Sequence, residues 1–107
     1  MDKGIAKIIN KYILHLQKQH IKFDKVYLFG SYAKLTHSDA SDIDIALIYE
    51  DGDDIDNFDL HAKLLLLAYD IDTRIEPYPI KQIDFTTDNP LAMDILKTGK
   101  EVKIKQE

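Results

Sequence analysis

The chain has no cysteine, only 4 glycines and 3 prolines in 107 residues, and no long hydrophobic run. Without a thiol, disulfides, zinc–thiolate sites and thiol catalysis are excluded, which is compatible with a reducing cytosol. The longest apolar run, Leu64 to Tyr69, is far too short to span a bilayer. The N-terminus leads into an alternating apolar and polar segment rather than a signal-peptide core, so a soluble cytoplasmic protein with no membrane association is expected. Basic residues are in deficit: 14 Lys and Arg stand against 19 Asp and Glu, for a formal net charge of −5. Phosphate-backbone binders usually carry a basic face, so stable nucleic-acid binding starts at a disadvantage.

What the chain does have is an ordinary globular balance, 45% hydrophobic and 31% charged, which argues against disorder. A single domain over residues 1–107 is expected, burying about two-thirds of its unfolded surface. No repeat, linker or low-complexity segment divides it. At this length no second domain is expected to hold an acceptor pocket. An acceptor must be bound by few residues or brought by another protein.

Ile5, Ile8, Ile9, Tyr12, Ile13 and Leu16 recur at helical spacing and predict an amphipathic helix over residues 3–20. Val26 to Phe29 reads as a buried strand closed by Gly30. Ser31 to Leu35 fits one helical turn, and Thr36 to Ser41 a polar loop. Asp42 to Tyr49 alternates as a strand with one polar end. Glu50 to Asp59 forms an acidic turn, after which Asn57 or Asp56 caps a helix through Phe58, Leu60, Leu64, Leu65, Leu67 and Ala68. Ile71 to Ile75 alternates again, as a third strand. Asn89 before Pro90 opens a final helix that Gly99 closes, and Val102 to Ile104 is a short tail with strand character. The short connection between the first two strands favours an antiparallel pair in a mixed sheet. The expected class is therefore α/β (α+β), a small mixed β-sheet flanked by helices.

Two features carry chemistry. A glycine leaving a buried strand lets the backbone turn sharply and a ligand approach closely. If Ser31 then opens a helical turn, its hydroxyl and the free N–H groups can hold a phosphate oxygen. Alone, Gly30-Ser31 is more often an ordinary turn. The second feature is Asp42-Ile43-Asp44, which sends two carboxylates from the same face of a strand. Carboxylates that close repel unless a cation or proton lies between them, and Mg²⁺ suits such a pair with substrate phosphates. Asp-x-Asp alone also occurs in metal-dependent glycosyltransferases, but those need a much larger chain.

Taken together, Gly30-Ser31, ten residues, then Asp42-Ile43-Asp44 resembles the signature of the polymerase-beta-type nucleotidyltransferase superfamily. Within it the whole chain resembles the minimal nucleotidyltransferases (MNT), as do Ala33-Lys34 and Ser41. Leu35 departs, standing where many members carry a second glycine over the phosphates. The resemblance implies a polymerase-beta-like core that binds a nucleoside triphosphate at Gly30 and Ser31, with Lys34 within reach of it. It implies that Asp42 and Asp44 hold one or two Mg²⁺, and that a third carboxylate from a later strand completes the set. Glu76 and Asp72 share one face of Ile71 to Glu76. Glu76 has the family's spacing to the last helix and is preferred, with Asp72 as the alternative or a helix cap. Pro77 and Pro79 suggest a strand that loses pairing just after Glu76.

The activity implied is Mg²⁺-dependent transfer of a nucleoside monophosphate, AMP from ATP, to a hydroxyl. Minimal nucleotidyltransferases commonly pair with a small helical HEPN-domain protein, and some adenylylate a tyrosine of that partner as antitoxins. Alternatives are a regulatory antitoxin that neutralises such a partner by contact alone, and transfer to a small molecule such as an aminoglycoside with help from a partner domain or a homo-oligomer. Other features are set aside. The acidic stretch lacks the EF-hand glutamate, and His15, His20, His37 and His61 share no ligand spacing. Leu64 to Leu67 reads as core-facing helix, any exposed part of it being available to a partner.

Overall fold

A computed structural model describes residues 3–50 and 57–104. The acidic positions Asp51, Asp53, Asp54 and Asp56, with Gly52, lie outside the described residues. The elements run α1 (Lys3–Lys18), β1 (Lys25–Phe29), α2 (Ser31–Lys34), β2 (Ile43–Tyr49), α3 (Asn57–Tyr69), β3 (Ile75–Lys81), a single 3₁₀ turn (Gln82–Asp84), α4 (Pro90–Thr98) and β4 (Lys100–Val102). One four-stranded mixed sheet has the order β3-β2-β1-β4. β1 pairs antiparallel with both β2 and β4, and β2 pairs parallel with β3. This is the expected α+β architecture, and the β1–β2 pair has the expected direction.

The two sheet faces differ. On one, Val26, Leu28, Ile43, Ile45, Leu47 and Ile75 pack against Ile5, Ile9, Tyr12, Ile13 and Leu16 of α1 and Leu64 and Ala68 of α3. Burying these side chains supplies the main hydrophobic stabilisation, about 1.5–3 kcal/mol for each fully buried large aliphatic. The Tyr12 hydroxyl donates to the Leu64 carbonyl oxygen at 2.8 Å and ties the two helices together. Buried there, its hydroxyl is held well above its ordinary pKa. On the other face, Tyr27, Phe29, Ala46, Ile48 and Ile80 pack under Ile95 of α4, with Tyr78 and Phe85 alongside. This second layer has fewer buried residues than the first, and Asp44 and Glu76 stand on its face of the sheet.

Four expectations are corrected. The third strand is not Ile71 to Ile75: residues 71–74 form a turn off the end of α3, with Ile71 and Asp72 amides bonded to the Ala68 carbonyl. The strand begins at Ile75 and continues through both prolines to Lys81, paired with β2 throughout. It is an edge strand, and Pro77 and Pro79 are two apart, so their nitrogens face the same, unpaired side where no ladder hydrogen bond is required. The last strand falls at Lys100–Val102, starting two residues early, because its partners on β1 are Val26 to Leu28. Of the leucine run in α3, Leu64 is buried but Leu66 is 67% exposed, as are Phe58 and Tyr69 on the same helix to 79% and 53%. Asn89 caps α4 as expected, its side chain accepting from the Leu91 and Ala92 amides, with Pro90 at the first helical position and Gly99 closing the helix.

Candidate functional site

The site is built where β1 ends. Phe29 is the last residue of β1 and pairs with Asp44 on β2, and Gly30 follows with φ 74° and ψ −151°. That conformation is open to glycine and strained for any other residue. Space makes the same demand, because a Cβ at Gly30 would overlap Oδ2 of Asp44. Gly30 therefore lets the backbone pass directly over a carboxylate. Ser31 then opens α2, whose turn is closed by the Lys34 amide on the Gly30 carbonyl at 3.1 Å and the Thr36 amide on the Ser31 carbonyl at 2.9 Å. α2 ends at Leu35, which sits in the left-handed region with φ 60°. This is a backbone that glycine adopts without cost.

Asp42 precedes β2 and Asp44 lies within it, two apart and on the same face. The parallel register sets Asp44 beside Glu76 and Ala46 beside Tyr78. Asp44, half-buried, has its carboxyl pushed above the ordinary range by burial and by the negative charge of Asp42. The Tyr78 hydroxyl, donating to the Asp44 carboxylate, pulls it back, and Glu76 adds a further upward push. Tyr78 is itself pushed up to about 12 by burial and by the charges of Asp44, Glu76 and Asp42. Its ring is fixed edge-on against Phe29, 5.0 Å between centroids. Asp42 and Glu76 thus lie within electrostatic reach of Asp44, which sits directly under Gly30.

Asp72 and Lys34 are occupied elsewhere. Asp72 lies in the turn before β3, and its carboxylate takes the Arg74 side chain at 3.0 and 3.1 Å and the Arg74 amide at 2.9 Å. These bonds hold its carboxyl below the usual range. Lys34 pairs with Asp94 of α4 at 3.5 Å, both side chains being largely exposed. Tyr78 was missed by sequence reasoning. Its signal was the two-residue spacing from Glu76, which carries meaning only once the strand is known to run on through Pro77.

The arrangement fits a divalent ion in its chemistry. Every donor is a hard carboxylate oxygen, and the charges of Asp42 and Glu76, which add to burial in raising the Asp44 carboxyl, are ones a cation would relieve. Among the described residues no three His, Asp or Glu side chains are grouped closely enough to hold a metal ion between them. Mg²⁺ ordinarily takes one or two carboxylates and completes its shell with water and substrate phosphates, so an uncaged cluster suits it.

A family model described as "Polymerase beta, Nucleotidyltransferase" matches residues 10–107. The chain belongs to the polymerase beta nucleotidyltransferase family. Solved structures agree with this. A toxin–antitoxin complex with AMP-PNP is 28% identical, with a TM-score of 0.64, covering 91% of this chain and 74% of that one. A chain of the complex of tri-AMPylated Shewanella oneidensis HEPN toxin with MNT antitoxin is 26% identical, with a TM-score of 0.59, covering 94% of this chain and 74% of that one. A nucleotidyltransferase structure from Sulfolobus solfataricus, at 18% identity, TM-score 0.64 and coverage of 92% and 78%, shares the fold. No match was found among curated protein sequences. The nucleotidyltransferase family uses nucleoside triphosphates with Mg²⁺, and this nucleotidyltransferase chain sits structurally among MNT proteins seen with HEPN toxins. No helix among the described residues is long and apolar enough to cross a membrane.

Proposed function

We propose that the chain transfers AMP from ATP to a hydroxyl on a HEPN-type partner protein, in the manner of an adenylylating antitoxin. The observation that carries this reading is the register of Asp44 against Glu76, with Asp42 in electrostatic reach and Gly30 directly above Asp44. In this reading Gly30 and Ser31 receive the triphosphate tail. The glycine admits it at backbone distance, and the serine hydroxyl and α2 amides donate to phosphate oxygens. Asp42, Asp44 and Glu76 would hold Mg²⁺, which when bound neutralises phosphate charge. Glu76 takes the proton of the acceptor hydroxyl, whose oxygen forms a bond to the α-phosphorus. The α–β anhydride bond breaks and pyrophosphate leaves. Lys34 would serve the triphosphate only by leaving Asp94, a small cost for an exposed pair.

The relatives seen with AMP-PNP and with a tri-AMPylated HEPN toxin support ATP as donor and a protein as acceptor. The test is to incubate the chain with labelled ATP, Mg²⁺ and the product of its adjacent gene, and to repeat with Asp44→Asn. Label on the partner that disappears in the variant is the expected result. No label transferred, together with undiminished neutralisation of the partner by the variant, would replace this reading with one of inhibition by contact.

A further inference from the structure

α2 is only four residues long, and a helix that short does not hold its own position. Its place must be set from outside. Tyr32, next to Ser31, is 7% exposed, so its ring is anchored in the core under the turn. The Tyr32 hydroxyl accepts from Nη1 of Arg74 at 3.2 Å. The opposite edge of that guanidinium is fixed by Asp72, from Nε at 3.1 Å and Nη2 at 3.0 Å. The Tyr32 ring also stacks on His37, 4.1 Å between centroids and 15° from parallel. His37 lies in the loop leading to Asp42. Finally, the Arg74 carbonyl accepts from the Ile43 amide at 2.8 Å, between Asp42 and Asp44.

One residue thus bonds to neighbours of each piece of the site. Arg74 is two residues before Glu76. Its backbone holds Ile43 between the two aspartates, and its side chain reaches the residue beside Ser31. We propose that Arg74 is a positioning residue: clamped by Asp72, it locks the Gly30–Ser31 turn in register with the strands that carry Asp42, Asp44 and Glu76. Asp72 then has a role, although it lies off the cluster. It occupies one edge of the guanidinium fork so that the remaining nitrogen is aimed at Tyr32. A lysine cannot do this, since its ammonium is a point charge with no second edge.

The consequence for transfer rests on the function proposed above; the mechanical claim does not. The test therefore uses two readouts on Arg74→Met, Arg74→Lys and Tyr32→Phe, the last keeping the buried ring. Hydrogen exchange on the nucleotide-free protein follows the Lys34 and Thr36 amides, which close the α2 turn. Expected is exchange at least about 10-fold faster there in all three variants, with α1 and α3 amides unchanged. Label transfer to the partner should fall about 10-fold or more, in kcat rather than in KM for ATP, because misplaced groups cost rate. Unchanged exchange at Lys34 and Thr36, or exchange that accelerates equally in α1 and α3, overturns the proposal. If the unaltered protein transfers no label, the transferase reading fails, and the exchange comparison still decides the role of Arg74.

Discussion

Asp44 stands between Gly30 and Glu76. The glycine's missing side chain is filled by its carboxylate, and the register of β2 and β3 sets Glu76 alongside. Two carboxylates and a bare backbone in one place are a poor arrangement for stability and a good one for holding charged phosphate with a cation.

Charge removal at this point should separate activity from stability. Asp44→Asn and Glu76→Gln are expected to lower label transfer by about 100-fold or more, the scale on which one fixed electrostatic group acts on developing charge. Asp72→Asn should lower it less. Transfer assays on the three variants check this, and full loss in Asp72→Asn alone would reverse the assignment of the third carboxylate.

The pH dependence of stability follows from the sign of the Asp44 shift. Its folded pKa lies above the unfolded value of 3.8, chiefly through burial, so the native state binds the proton more tightly. The ionised group therefore costs stability above that window, and the cost vanishes as pH falls through it. Asp44→Asn should melt higher than the unaltered protein at pH 7, with the gap closing below about pH 4. Thermal melts across pH 3 to 7 measure it.

Tyr78 should ionise near 12, mainly because it is buried and then because three carboxylates face it. In the double variant Asp44→Asn, Glu76→Gln its pKa should drop toward 10 without reaching it, since burial remains. The absorbance difference between each protein and its Tyr78→Phe counterpart isolates this one phenol.

Backbone conformation gives an opposed pair. Gly30→Ala should cost about 1–3 kcal/mol, through a strained dihedral and the overlap with Asp44. Leu35→Gly should instead raise stability by up to about 1 kcal/mol, because the left-handed backbone penalises a side chain. Leu35 is 70% exposed, so little packing is lost. Denaturant unfolding of the two variants should show shifts of opposite sign.

Much of the fold was legible because local signals agreed. Val26 to Phe29 ending in Gly30, and Asn89 before Pro90, each combine hydrophobic pattern with a residue that only certain backbones accept. The third strand was displaced because Ile71 to Ile75 alternates as well as any strand. That alternation belongs instead to a turn pinned by Asp72 and Arg74. Prolines usually end central strands, and only the three-dimensional order of the sheet reveals that this strand is at an edge. Glu76 was preferred on the spacing of the family that the sequence resembles, and the strand register sets it beside Asp44. Tyr78 and Arg74 were not, since their contacts with Asp44 and Tyr32 depend on which strands lie side by side.

The two prolines of β3 have a consequence for how this molecule meets others. An exposed sheet edge ordinarily invites a foreign strand to add itself by main-chain hydrogen bonding. Along this edge Pro77 and Pro79 remove successive outward donors, leaving no continuous ladder to extend. The flank beside Glu76 is thereby closed to strand addition, and a protein docking there must be recognised through side chains.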